Sequence, residues 1–125
     1  MEENRLSREV IGAAIEVHRV LGPGLLESVY RQSLCRELAL RGIPWQAEVV
    51  IRAHYKGLDF DAGYRMDLLV ADRLIVELKV VDRLLPVHEA QVLSYLRLTG
   101  KRLGLLINFN VAVLKDGIKR IVNNL

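Results

Sequence analysis

Two carboxylates in chain that otherwise reads as buried strand constrain this sequence more than any other feature. The run Leu74-Ile75-Val76-Glu77-Leu78-Lys79-Val80-Val81 is apolar everywhere except at Glu77 and Lys79, the pattern of a strand covered on both faces. An ionised carboxylate left there without a partner costs several kcal/mol. Glu77 and Lys79 are two apart and so project from one face, and Asp67 lies in the preceding strand-like run Tyr64-Arg65-Met66-Asp67-Leu68-Leu69-Val70. With Ala71-Asp72-Arg73 as the turn, Val70 faces Leu74 and Asp67 falls opposite Glu77. Opposed carboxylates repel, so the arrangement points to a cation held between them. The competing reading is a buried Glu77–Lys79 ion pair, with Asp67 holding a turn.

The rest of the chain supplies an α/β frame for this hairpin. Ser7 is the expected cap of a first helix over 7–20, in which Val10, Ile11, Ala14, Val17, His18 and Leu21 recur at helical spacing. Gly22-Pro23-Gly24 breaks it. A second helix over 25–41 is expected to bury Leu26, Val29, Tyr30, Leu34 and Leu38 and to stop at Gly42. From Ala47 to Tyr55 the period switches to two, and Lys56-Gly57-Leu58-Asp59 turns the chain into Phe60–Val70, followed by Leu74–Val81. Pro86 suits the first turn of a helix ending at Thr99 and Gly100, and Leu103–Phe109 reads as a buried strand beyond it. Strand, crossover helix, strand is a parallel βαβ unit. A last short strand is expected near Ile118–Val122.

Composition sets the outer limits. At 125 residues, 51% hydrophobic and 26% charged, the chain is one folded domain, residues 1–125, and a disordered reading is excluded. No stretch approaches the ~18 apolar residues a membrane span needs, and Met1-Glu2-Glu3-Asn4-Arg5 opens without an apolar leader, so a cytoplasmic location is expected. The lone Cys35 is expected in the core. The net charge of +3 permits a polyanionic partner without demanding one. Thirteen of the eighteen basic residues are arginine, the side chain suited to bidentate phosphate contacts.

Asp67, nine intervening residues, then Glu77-Leu78-Lys79 resembles the metal-binding core of the PD-(D/E)xK nucleases, the restriction-endonuclease-like superfamily, with Met66 where that pattern usually has proline. Upstream, Gly24-Leu25-Leu26-Glu27-Ser28-Val29-Tyr30 is similar to the signature of the GxxExxY family within that superfamily. The likeness continues through Tyr55-Lys56-Gly57, Gly63-Tyr64-Arg65, His88-Glu89-Ala90-Gln91 and Tyr95–Gly100 to Ile107-Asn108-Phe109. Gln91 and Tyr95 also match a Gln-x-x-x-Tyr pattern of the RecB-like branch.

The resemblance implies an αβββαβ core with a mixed sheet flanked by helices, and Mg²⁺ (or Mn²⁺) as cofactor. It also implies a nucleic-acid substrate, DNA more than RNA. Asp67 and Glu77 become candidate metal ligands with the backbone carbonyl of Leu78. Lys79 becomes the group that orients the attacking water. Glu27 is implied as a ligand, direct or through a water, although a glutamate at a helix start also complements the macrodipole. Gln91 is placed at the site. Tyr95, His88, Arg65, Lys101 and Arg102 are candidate nucleic-acid contacts. Tyr30 either supports Glu27 or packs, and His88 either meets phosphate or serves its helix start. His18 is expected as a hydrogen-bonded core residue and His54 as an exposed one. Two-fold pairing is a further expectation, through apolar groups of Leu84, Leu85 and Val111–Leu114, because one site reaches one strand at a time.

Overall fold

A computed structural model describes residues 2–125. Helix α1 spans Glu3–Leu21 and is capped by Glu2, whose carboxylate accepts the N–H groups of Asn4 at 3.1 Å and Arg5 at 2.7 Å. This corrects the cap expected at Ser7, which lies inside the helix and is buried; a carboxylate five residues earlier satisfies the free amides instead. Helix α2 spans Glu27–Leu40. Its expected apolar face included Leu26, but that residue precedes the first helical turn and is 75% exposed.

The sheet follows chain order. Strands β1 (Trp45–Tyr55), β2 (Leu58–Val70) and β3 (Leu74–Lys79) run antiparallel in succession. Helix α3 (Pro86–Thr99) then crosses to β4 (Leu103–Asn108), which pairs parallel with β3, and β5 (Ile118–Val122) closes the far edge antiparallel to β4. The β1–β2 loop is tighter than the four-residue turn expected, because Lys56 (φ 47°) and Gly57 (φ 87°) both take the left-handed conformation of a two-residue hairpin turn. In the next hairpin Val70 faces Leu74, as the sequence spacing requires. Gly104 lets α3 lie close on β4: a Cβ there would stand 2.7 Å from Val92 Cγ1.

The two faces carry separate clusters. Beneath α1 and α2 lie Leu68, Val70, Leu74, Val76, Leu78, Leu105, Ile107 and Phe109, with Leu6, Val10, Tyr30 and Leu34 from the helices; Ile51, Met66, Leu69, Ile75, Tyr95 and Leu96 form a smaller group under α3. Strict alternation would put Met66 with Leu68, yet they belong to different clusters. The side chains of β2 therefore change face at Asp67. Opposite, in β1, Glu48 takes φ 54° and drops out of the register between Ala47↔Leu68 and Val49↔Met66.

His18 lies buried with Nε2 at 2.8 Å from the Val111 carbonyl, Cys35 is buried, and His54 points outward. Of the apolar groups expected outside the core, Leu114 is buried and Val111 and Leu84 are half-buried, which leaves Leu85, Ala112 and Val113 at the surface. Among the described residues no helix is long and apolar enough to cross a membrane.

Candidate metal centre

The β2–β3 ladder runs through Val70↔Leu74, Leu69↔Ile75 and Leu68↔Val76 and stops one residue short of the acidic pair. Beyond it, side chains replace backbone partners. The Asp67 N–H donates to Glu77 Oε1 at 2.8 Å, and the Leu78 N–H donates to Asp67 Oδ2 at 2.8 Å. Each carboxyl is thus fixed by the other's strand, and among the described residues no further amide, hydroxyl or cation donates to either; the two carboxyls also hydrogen-bond each other. The backbone phase of β3 is set by the Phe109 N–H, which donates to the Lys79 carbonyl at 3.0 Å, so Lys79 turns its backbone groups to β4 and Leu78 turns its own to β2. The Leu78 carbonyl therefore faces the gap that β2 has left.

Burial and like charge act together here. Glu77 is buried, and its carboxyl is pushed up to about 8, first by burial and then by the Asp67 charge; the Asp67 amide and Lys79 oppose this and Glu27 adds to it. Asp67 is raised by burial against the Leu78 hydrogen bond and the charges of Lys79 and Arg31. Glu27 is raised by burial and then by Asp67, with Lys79 and Arg31 opposing. Burial is the largest cause for all three; like charge adds to it at Glu77 and Glu27, whereas at Asp67 a hydrogen bond with the Glu77 carboxyl opposes it. Lys79 is half-buried, and among the described residues it forms no ion pair with Glu77, so the chain does not adopt the competing ion-pair arrangement.

The Gly24-x-x-Glu27-x-x-Tyr30 segment has a mechanical role. Tyr30 is fully buried with its ring stacked on Phe109, 4.5 Å between centroids. Its hydroxyl donates to the Gly22 carbonyl and accepts the Leu25 N–H at 3.2 Å. It thereby packs and also pins the turn on which α2 begins, which aims Glu27 toward Asp67. Yet among the described residues no three His, Cys, Asp or Glu side chains gather as a ready cage. Glu27 starts a helix across the gap from the two strands, near enough for its charge to act on Glu77 and for that of Asp67 to act on it. The donor set of Asp67, Glu77 and the Leu78 carbonyl suits magnesium, which takes hard oxygen ligands, keeps several waters and needs only one or two carboxylates.

On the other side stands α3. The Tyr95 hydroxyl is pushed up to about 12, by burial first and then by Glu77, Tyr64 and Asp67, with a hydrogen bond from Gln91 opposing. Tyr95 is thus within electrostatic reach of the acidic pair, with Gln91 beside it on α3. His88 Nδ1 accepts the Leu85 N–H at 2.9 Å, so its ring serves the helix start. Arg65 is exposed, two residues before Asp67, with no ion-pair partner among the described residues. Lys101 and Arg102 are not brought to the centre. They precede β4 at the opposite end of the sheet from Lys79, about 20 Å away at strand rise. There Lys101 binds Asp72 and Arg102 donates to the Asn124 carbonyl; their charge is plain from residue type, whereas the strand end they occupy is not.

Three neighbours were not singled out from sequence. Arg31 lies one helical turn after Glu27, a spacing that would have found it. Tyr64 approaches Tyr95, with ring centroids 5.8 Å apart. Asn108, buried in β4, uses its amide to grip the Val81 N–H at 3.1 Å and carbonyl at 2.9 Å, fixing the chain just beyond Lys79; its one signal was an amide in an otherwise apolar strand. Neither a curated protein nor a solved structure matches the chain. A family model described as the PD-(D/E)XK nuclease superfamily matches residues 4–121, a span that takes in both carboxylate strands, Glu27 and α3. The chain belongs to the PD-(D/E)XK nuclease superfamily.

Proposed function

We propose that the protein is a nuclease of the GxxExxY branch of its superfamily, hydrolysing phosphodiester bonds in DNA in preference to RNA with Mg²⁺ or Mn²⁺. The observation that carries this reading is the exchange between Asp67 and Glu77. Each is clamped by the neighbouring strand through one oxygen, and among the described residues no amide, hydroxyl or cation donates to the second. A protein has little structural reason to hold two desolvated carboxylates this way.

In this reading Asp67, Glu77 and the Leu78 carbonyl hold the ion, and Glu27 reaches it through a water. When bound, the ion supplies charge neutralisation at the phosphate and a more acidic water. Lys79, whose charge favours ionisation of all three carboxyls, orients the attacking water and neutralises charge on the phosphate oxygens. Gln91 positions groups from the α3 side. Asp67→Asn and Glu77→Gln are expected to abolish cleavage of a DNA substrate in Mg²⁺ while the protein stays folded. Full residual activity in either variant would remove that residue from catalysis. Mg²⁺ binding without cleavage by the unaltered protein would instead favour a nucleic-acid-binding module, and absence of both would leave an adaptor with a relict site.

A further inference from the structure

The cleft between β2 and α3 carries chemistry that the phosphodiester site does not use. It encloses about 350 Å³ and is lined by Tyr64, Val87, Gln91, Ser94, Tyr95 and Leu98. Tyr64 is 51% exposed, a large cost in wetted aromatic surface for a side chain whose one aromatic neighbour among the described residues is the tilted ring of Tyr95. The two rings meet at 48°, so they form a wedge and do not stack on each other. One tyrosine face is left open.

We propose that this wedge receives the base of an unpaired nucleotide beside the phosphate held at Asp67 and Glu77, which makes single-stranded DNA, or a frayed or flapped end, the preferred substrate. The inference rests on the nuclease reading and specifies its substrate class. Three observations favour a base over other occupants. The walls are aromatic and aliphatic with no charged group among the lining residues, which suits a π-face and not a phosphate. Gln91 offers a donor and an acceptor, and Ser94 a hydroxyl, which together match the edge of a base. Tyr95 belongs both to the cleft and to the surroundings of Glu77, so a nucleotide whose phosphate meets the acidic pair has its base at the wedge. A base stacked within a duplex cannot enter; one already unpaired can.

The test measures binding apart from cleavage. Fluorescence anisotropy of a labelled DNA strand in Ca²⁺ compares the full chain with Tyr64→Ala and Tyr64→Phe, using the free strand, its duplex and a strand with abasic sites. Expected are tighter binding of the free strand than of the duplex, a loss of about tenfold in Tyr64→Ala and on the abasic strand, and near-normal binding in Tyr64→Phe. Equal affinity of Tyr64→Ala and the unaltered protein would overturn the proposal, and so would indifference to abasic sites. A change of sedimentation in Tyr64→Ala with DNA binding intact would reassign the cleft to a second copy of the chain. Tyr64-dependent binding in a protein that never cleaves in Mg²⁺ would sink the nuclease reading and leave the base site standing; cleavage unaffected by Tyr64→Ala would do the reverse.

Discussion

The face of the sheet beneath α1 and α2 and the face beneath α3 differ in how much they bury: twenty residues form the cluster on the first, six on the second. The first is closed by two helices and holds no member of the acidic pair. The second is covered by one helix, whose exposed stripe includes Val87 and Leu98. Asp67 sits at the seam, where β2 changes face and leaves β3. The difference teaches where each task is carried. Hydrophobic burial on the thick side stabilises the fold, and the thin side tolerates desolvated carboxylates and an open cleft because little packing depends on them.

The comparison breaks first on a pair of core truncations. Leu34→Ala, on the thick side, is expected to cost about 2–5 kcal/mol, with Leu96→Ala under α3 at the lower end of that range. Denaturant unfolding decides it: an equal or greater loss in Leu96→Ala would mean the thin side is not the weaker one.

The seam has its own signature in pH. Glu77 has a folded value of about 8 against an ordinary 4.5, so its contribution is complete below 4.5 and is lost as pH rises through 8. Asp67 and Glu27 shift the same way. In EDTA the melting temperature should therefore fall between about pH 5 and pH 8, while Glu77→Gln flattens that slope. Mg²⁺ should oppose it and release about one proton on binding near neutrality. A melting temperature indifferent to pH in the metal-free protein would show that Glu77 is not desolvated as described.

A smaller effect sharpens the link between α3 and the centre. Gly104→Ala places a methyl group against Val92 and is expected to cost about 1–3 kcal/mol. By lifting α3 it should also slow cleavage through Gln91 and Tyr95. Crystals or chemical shifts showing α3 unmoved, with normal stability, would contradict that coupling. Tyr30→Phe leaves the Leu25 N–H without its acceptor, a loss of about 1 kcal/mol, and should weaken Mg²⁺ binding a few-fold through Glu27. Unchanged affinity in a calorimetric titration would detach the turn from the site. Last, sedimentation at micromolar concentration is expected to show pairing through Leu85 and Val113; a 14.2 kDa monomer, with and without DNA, would overturn it.

Much of the frame was legible in the sequence because it rests on local rules. The Asp67–Glu77 apposition follows from a two-residue period and a three-residue turn, and β5 and the limits of α3 from proline, glycine and apolar runs. Local rules failed where a choice lay between rivals of similar chemistry. Ser7 and Glu2 are both competent caps, and nothing in the pattern says which the helix reaches first. Lys101 and Arg102 are candidate nucleic-acid contacts by residue type, and only the direction of β4 says that they lie at the end of the sheet away from the acidic pair.

The sequence by itself determined that two carboxylates and a lysine would share a buried hairpin, because strand periodicity and the desolvation cost of charge are properties of the chain. Only the tertiary structure decided that β2 turns over at Asp67 opposite Glu48, that Tyr30 anchors the turn before Glu27, and that Tyr64 and Tyr95 open a wedge beside the acids. Those outcomes depend on the twist of the sheet and on which helix covers which face. Both are set by packing among segments far apart in the chain, which no local pattern encodes.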